Sequence, residues 1–166
     1  GLRGIKLHPD LQGVKADCDR LFSLYEIMQE KGMILWLHVG DDRPEIDFSS
    51  PERVANIAKT FPKLTVVAAH LGGYRVWDRA EHILMGKFEN LLYDCSSTLF
   101  AMSPERGKFL IEKCGTDRVM FGSDYPAISP AASLEGFRRL DFSEEVRQDI
   151  LSRNVRRLLP FGDSRE

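Results

Sequence analysis

The chain has 166 residues, of which 43% are hydrophobic and 29% are charged, and its formal net charge is −2. These values are typical of one ordinary globular domain. No apolar run is long enough to cross a bilayer and the basic residues are scattered, which argues against a membrane or nucleic-acid partner. Three cysteines, an odd number without metal-type spacing, predict reduced thiols and a cytoplasmic location.

Three short apolar runs each end in a histidine, although the whole chain has only four histidines. These runs cover residues 4–8, 34–38 and 65–70, and a fourth run, 119–122, is followed by Ser123 and Asp124. Together with a run near Tyr93, their centres are 29, 32, 25 and 28 residues apart. Each step is about the length of one strand plus one crossover helix, so the spacing predicts repeated parallel β/α units.

The segments between these runs carry helix signals. Ser50-Pro51-Glu52 and Ser103-Pro104-Glu105 each combine a capping serine, a proline at the first helical position and an acid in the first turn. Asp17 is predicted to cap a helix that stops at Gly32. The predicted helices cover residues 17–31, 50–61, 74–84, 103–114, 143–151 and 154–159.

The strand ends also predict a site. The carboxyl ends of parallel strands gather on one face, so His8, His38, His70 and Asp124 are expected to converge there. Alternation along the strands places Lys6 with His8, Trp36 with His38, and Val66 and Ala68 with His70. Imidazole and carboxylate groups are the usual ligands of a catalytic zinc or a similar divalent ion, which acidifies a bound water.

Each of these residues also has a structural interpretation. A single histidine at a strand end, such as His8, is more often a hydrogen-bonded structural residue than a ligand. The shared position of His38, His70 and Asp124 is what favours function. We interpret His82 as a surface or packing residue of a helix, Asp94 as either a site residue or a buttress of the next loop, and Trp36 and Phe121 as core.

Several segments in combination resemble the amidohydrolase superfamily, and specifically its amidohydrolase-related branch of TIM-barrel metal-dependent hydrolases. That branch includes nonoxidative aromatic-acid decarboxylases, hydratases and lactonases. The resemblance extends over residues 4–161. The segments that carry it are Gly4-x-Lys6-x-His8-Pro9, Leu37-His38-x-Gly40, Ala69-His70-x-Gly72-Gly73, Asp94-x-Ser96-Ser97, Gly122-Ser123-Asp124-Tyr125-Pro126 and Asn154-Val155-x-Arg157-Leu158-Leu159.

The resemblance implies a role for each candidate residue. His38 is a metal ligand, and Asp124 contacts both the metal and the attacking water. His70 is catalytic, either by orienting and protonating the substrate or by binding a second metal. Lys6 and His8 bind substrate. The implied cofactor is a divalent metal, foremost zinc with manganese as the alternative, and the implied partner is a small-molecule substrate.

One family feature is missing. Members carry a His-x-His pair on the first strand, and no such pair occurs in this sequence. The first run matches the fourth barrel strand, and a complete barrel needs about 250 residues. We therefore expect α/β structure in which residues 1–166 form a single partial TIM-barrel domain, the carboxyl-terminal five-eighths (strands 4 to 8), without the first three β/α units. The open sheet edges would then be covered by a complementing amino-terminal barrel segment or in a homo-oligomer, or the chain would be poorly stable alone.

The leading hypothesis is a metal-dependent hydrolase or lyase that acts on a small, carboxylate-bearing molecule through a metal-activated water. The competing hypothesis is a non-catalytic barrel fragment, or a binding or assembly module, that lacks a complete metal site. Under the first hypothesis the complete protein is the enzyme and this chain alone is inactive. A doubly wound α/β domain is a weaker alternative, because Pro9-Asp10-Leu11-Gln12-Gly13 stands where a glycine-rich phosphate loop would follow the first strand.

Overall fold

The computed structural model of the protein describes residues 1–43 and 45–159. Strands and helices alternate along almost the whole of this part of the chain. A single 3-10 turn, His70–Gly72, follows the third strand, and a π-helical turn, Asp149–Arg153, joins the last two helices. The elements in order are β1 Gly4–Leu7, α1 Pro9–Gln12, α2 Asp19–Glu30, β2 Ile34–Leu37, α3 Pro51–Thr60, β3 Thr65–Ala68, α4 Trp77–Ile83, β4 Leu91–Asp94, α5 Pro104–Cys114, β5 Val119–Met120, α6 Pro130–Arg138, α7 Glu144–Gln148 and α8 Asn154–Leu158.

The five strands form one sheet in the order β1-β2-β3-β4-β5, and all four neighbouring pairs are parallel. This arrangement confirms the parallel β/α repeats predicted from the spacing of the apolar runs. In the part of the chain that the structure describes, β1 and β5 each pair on one side only. The sheet is therefore open at two edges, as expected of strands 4 to 8 of a TIM barrel.

The proline signals mark helix starts correctly. Helices α3 and α5 begin at Pro51 and Pro104, and the Ser103 hydroxyl accepts a hydrogen bond from the amide of Arg106. Ser129-Pro130 starts α6 in the same way, although no helix was predicted there. The amino end of α2 was predicted wrongly. The helix begins at Asp19, and the Asp17 carboxylate instead binds Arg53 and Asn56.

The main core lies between the sheet and the helices, and it includes Val66 and Ala68. The other face of the sheet, here called the site face, carries the row Lys6, Trp36, Val67 and Leu92, which are aligned by strand register, together with Asp94. Its small apolar cluster consists of Ile34, Val67 and Met120, with Trp36 and Leu92 packed against it. Trp36 is thus a residue of the site face rather than of the main core.

The predicted alternation therefore fails at the end of β3. Val66 and Ala68 face the helices, whereas the imidazole of His70 reaches His38 across the carboxyl ends of the strands. The reason is the backbone after Ala68. His70 has a φ of 60° and Leu71 a φ of 51°, so the chain leaves the extended conformation and the two-residue period stops.

Within the described residues, no helix combines the length and the apolar character needed to cross a membrane.

Candidate active site

The predicted residues lie at one end of the sheet, where the carboxyl ends of the strands are. His8 directly follows β1, His38 directly follows β2, and His70 begins the turn after β3. Asp124 lies in the loop after β5. Because all five strands are parallel, these loops emerge at the carboxyl end of the sheet, which is where α/β proteins place their ligands.

His38 and His70 are in direct contact. Nδ1 of His38 lies 2.9 Å from Nε2 of His70, and the ring centroids are 4.7 Å apart. The opposite nitrogen of each ring meets a backbone carbonyl. Nε2 of His38 lies 3.0 Å from the oxygen of Gly40, and Nδ1 of His70 lies 2.9 Å from the oxygen of Ser96.

These carbonyls determine where the ring protons lie. A carbonyl oxygen can only accept, so His38 carries its proton on Nε2 and His70 carries its proton on Nδ1. The remaining nitrogens, Nδ1 of His38 and Nε2 of His70, then direct their lone pairs at one another. Two facing lone pairs need a proton or a cation between or beside them.

The surroundings keep His38 neutral. Burial is the largest cause, and with the neighbouring His70, His8 and Lys6 it lowers the pKa of His38 to about 3. Its side chain is only 13% exposed. A neutral imidazole whose second nitrogen donates to a carbonyl is the usual state of a histidine that ligates a metal ion. The donor chemistry of His38 thus fits a divalent cation.

A second group of possible ligands also includes His38. One ligand atom from each of His8, Asp10 and His38 lies within 4.8 Å of the others. The His8 ring stacks on the His38 ring with centroids 3.7 Å apart and planes 11° apart. Oδ2 of Asp10 lies 3.9 Å from Nε2 of His38 and accepts a hydrogen bond from the hydroxyl of Ser49, while Oδ1 accepts from the amide of Phe48.

Asp10 was not identified from the sequence. Its position two residues after His8 gives a weak signal, and its neighbour Ser49 is remote in the chain. The Asp10 carboxylate already accepts two hydrogen bonds, and parallel stacked rings direct their lone pairs along parallel planes. For both reasons Nδ1 of His38, the ring nitrogen that points to His70, is a better position for an ion than Nε2, the nitrogen that lies nearer Asp10.

Asp124 lies at the same end of the sheet as His8, His38 and His70, and among the described residues no hydrogen bond or ion pair joins its carboxylate to a histidine. The residue is exposed, its φ is 67°, and one of its carboxylate oxygens accepts a hydrogen bond of 2.7 Å from the Ser97 hydroxyl. Among the described residues, the group of three closely spaced ligands contains neither Asp124 nor His70. Ser97 was not identified from the sequence as a residue that positions Asp124.

Lys6 is the basic residue of the site face. It is aligned with Trp36 on the neighbouring strand, so the two side chains share that face. Although the residue as a whole is exposed, protein around the ammonium lowers its pKa, and the carboxylates of Asp94 and Asp124 oppose that shift. Lys6 therefore places a positive charge beside two acidic residues at the carboxyl end of the sheet.

Asp94 buttresses the loop that follows it, one of the two roles considered for it. Its Oδ2 accepts from Nε1 of Trp36 at 2.8 Å, and its Oδ1 accepts from the backbone amides of His70 and Ser96. The ring of Tyr74 adds an aromatic wall, with its centroid 5.6 Å from the ring of His70 and 6.3 Å from that of His38.

The sequence matches the amidohydrolase family over residues 1–161, and the chain belongs to this family. No curated protein shows significant sequence similarity to the chain.

Solved structures share the fold. An uncharacterised TIM-barrel protein from Bordetella bronchiseptica is 26% identical, with a TM-score of 0.79 over 95% of this chain and 57% of its own. A protein assigned as a 2-pyrone-4,6-dicarboxylic acid hydrolase from Pseudomonas putida is 22% identical, with a TM-score of 0.71 over 100% of this chain and 65% of its own. A dihydroxybenzoic acid decarboxylase from Polaromonas, solved with manganese and the inhibitor 2-nitroresorcinol, is 18% identical, with a TM-score of 0.63 over 90% of this chain and 57% of its own. The chain thus spans 57–65% of the length of these proteins.

Proposed function

We propose that the chain is part of a metal-dependent hydrolase or decarboxylase that acts on a small carboxylate-bearing molecule. The observation that carries this proposal is the approach of Nδ1 of His38 to Nε2 of His70, 2.9 Å apart, while the other nitrogen of each ring is held by a backbone carbonyl. Membership of the amidohydrolase family supports it.

The metal that we propose is zinc, with manganese as the alternative. Imidazole nitrogen and carboxylate oxygen suit both ions, and the Polaromonas structure contains manganese. His38 would hold the ion through Nδ1, and Asp124 would complete the ligands from this chain. The ion would acidify a water molecule and polarise the substrate.

His70 is proposed to move the proton. Its Nδ1 is occupied by the carbonyl of Ser96, so Nε2 is the atom that accepts a proton from water or returns it to the substrate. The ring is buried and its backbone is held in place, which keeps Nε2 directed at His38. The ring of Tyr74 packs beside the His70 ring, with the centroids 5.6 Å apart.

Lys6 and His8 are proposed to bind the substrate carboxylate. The ammonium of Lys6 lies on the site face beside the strand ends, and His8 stacks on His38 next to the proposed metal position. The 2-pyrone-4,6-dicarboxylic acid hydrolase and the dihydroxybenzoic acid decarboxylase are both named for carboxylic acids, which supports the same substrate class here.

The test is an assay of the complete barrel, with upstream strands supplied in the same or a second chain, against a panel of aromatic and pyrone carboxylates with zinc or manganese. We expect turnover of a carboxylate substrate that is lost in His38→Asn and retained in His82→Asn, which alters an exposed histidine. We expect Lys6→Met to raise KM by about tenfold, the loss of one charge-assisted contact, whereas Lys15→Met should not. A metal-loaded barrel without turnover of any carboxylate would support the non-catalytic alternative.

A further inference from the structure

A buried carboxylate lies behind His70. Asp94 is 4% exposed and, within the described part of the chain, forms no ion pair. It is stabilised by hydrogen bonds from Trp36, from the amides of His70 and Ser96, and from the Ser96 hydroxyl. A buried charge is tolerated when such donors surround it, and an ionised carboxylate can only accept.

The direction of the hydrogen bonds can be followed from Asp94 to His70. The Ser96 hydroxyl has one proton, and it donates that proton to Asp94. Its oxygen, 3.1 Å from Nδ1 of His70, can then only accept. The Ser96 carbonyl, 2.9 Å from the same nitrogen, is an acceptor as well. Both groups therefore require the proton of the His70 ring to lie on Nδ1.

Asp94 also holds the backbone of His70. The φ of 60° at this residue lies in the left-handed region, which is unfavourable for an L-residue. The amide of His70 donates to Oδ1 of Asp94 at 3.2 Å, and the carbonyl of His70 accepts from Nε1 of Trp77 at 2.9 Å. These two bonds fix the peptide groups on both sides of His70 and so set the direction of its ring.

We propose that Asp94 and Ser96 are positioning residues that keep His70 in the tautomer with the proton on Nδ1 and its Nε2 lone pair directed into the site. The use of that lone pair rests on the function proposed above, but the tautomer does not. The hydrogen bonds that link Asp94, Ser96 and His70 join β4 and its loop to the turn after β3. They therefore depend on the fold rather than on a local motif.

The proposal predicts what happens when the acceptor at Asp94 is removed. In Asp94→Ala the Ser96 hydroxyl loses its acceptor and is free to donate to Nδ1 of His70. The ring proton should then shift towards Nε2. Removing that hydroxyl as well, in Asp94→Ala with Ser96→Ala, should restore the proton to Nδ1 because only the carbonyl acceptor remains. Asp94→Asn is a matched control, because its amide oxygen is expected at the position of Oδ1, where three donors meet, so the Ser96 hydroxyl keeps its acceptor.

The experiment is nitrogen-15 NMR of the histidine rings in the metal-free chain at pH 8.5 with a chelator. We expect Nδ1 of His70 to be protonated in the wild type and in Asp94→Asn, at least tenfold less protonated relative to Nε2 in Asp94→Ala, and protonated again in the double variant Asp94→Ala with Ser96→Ala. Ser129→Ala, which removes the side-chain cap of α6 and no hydrogen bond to His70, should match the wild type. An unchanged tautomer in a folded Asp94→Ala variant would overturn the proposal.

A second variant covers the case in which Asp94→Ala does not fold. In Ser96→Ala, Nδ1 of His70 keeps one of its two acceptors, and we expect its proton to exchange with water at least tenfold faster than in the wild type. Exchange within a factor of two of wild type would overturn the proposal. Neither measurement uses metal or turnover, so an inactive barrel with the expected tautomers would refute the proposed function and leave this inference intact.

Discussion

The rings of His38 and His70 meet nitrogen to nitrogen at 2.9 Å, and each is held from behind by a backbone carbonyl. The two histidines come from strands 32 residues apart in the chain. Their arrangement leaves one unprotonated nitrogen on each ring facing the same space. A site of this kind favours a neutral His38 and a cation or proton beside it, which has consequences for stability as well as for chemistry.

The low pKa of His38 predicts a pH dependence of stability. The folded chain holds His38 neutral down to about pH 3, whereas the unfolded chain binds a proton near pH 6.5. Stability is therefore fully present above pH 6.5 and is lost as the pH falls towards 3, with a contribution from His38 of at most about 1.4 kcal/mol per pH unit. Urea unfolding of the metal-free chain between pH 4 and 8 measures it.

The matched variants are His38→Asn and His82→Asn. We expect the loss of stability on acidification to be shallower in His38→Asn and unchanged in His82→Asn, whose ring is exposed. Equal slopes for His38→Asn and the wild type would show that His38 is not held neutral by the fold.

Gly40 is predicted to be sensitive to substitution. Its φ is 88°, and a Cβ atom there would lie 2.7 Å from the backbone nitrogen of Tyr74 and 2.8 Å from the carbonyl carbon of Gly73. Backbone atoms must therefore move in Gly40→Ala, and we expect a loss of about 2–4 kcal/mol. Gly13→Ala is the control, because its φ is 63° but no atom lies within 4 Å.

Chemical denaturation of both glycine variants separates the two effects. We expect Gly13→Ala to lose only about 1–2 kcal/mol, the cost of a left-handed residue. Because the Gly40 carbonyl accepts from His38, Gly40→Ala should also disturb the His38 ring signals. Equal losses at the two positions would show that the close approach of Gly40 to the Tyr74 backbone does not matter.

The three thiols are predicted to differ in reactivity. Burial raises the pKa of Cys95 to about 12 and also raises the pKa of Cys114. Cys18 is half-buried. We expect a thiol reagent at pH 8 to modify no more than one cysteine in the folded chain and three after unfolding, since the thiolate is the reactive form. Rapid native modification in a Cys18→Ser variant would contradict this burial pattern.

His70 is predicted to affect turnover more than stability or metal content. In the completed enzyme, His70→Asn should lower kcat by about 10² to 10⁴, the usual range for general acid-base catalysis. Melting temperature and bound metal are measured on the same samples and should be nearly unchanged. A near-normal kcat would remove His70 from the mechanism, and loss of the metal would make it a ligand instead.

The repeating fold could be predicted because its signals are local. Apolar runs at regular spacing and the proline caps at Pro51 and Pro104 depend only on neighbouring residues, and the parallel sheet confirms them. Asp17 illustrates the limit of such signals. A capping residue next to a helix was expected, but its carboxylate binds Arg53, which is 36 residues away.

The strand-end position of the histidines was also visible in the sequence, and the contact between His38 and His70 agrees with it. Their roles as ligand and catalyst stay predictions. Residues such as Asp10 and Ser96 act through partners that are 39 and 26 residues away, so no local pattern marks them. The turn at His70 was missed because a left-handed backbone at a non-glycine residue depends on tertiary hydrogen bonds rather than on residue type.

The most direct test of the central claim is metal binding by His38, measured by titrating Mn²⁺ into the metal-free chain and following free Mn²⁺ by electron paramagnetic resonance. We predict one weak site, because the first-strand His-x-His pair is missing from this sequence. Binding should be weakened at least tenfold further in His38→Asn and be unchanged in His82→Asn, because loss of a ligand costs at least as much as the loss of an outer partner of a ligand. A site of equal affinity in the wild type and in His38→Asn, or no site in the wild-type chain, would contradict the account.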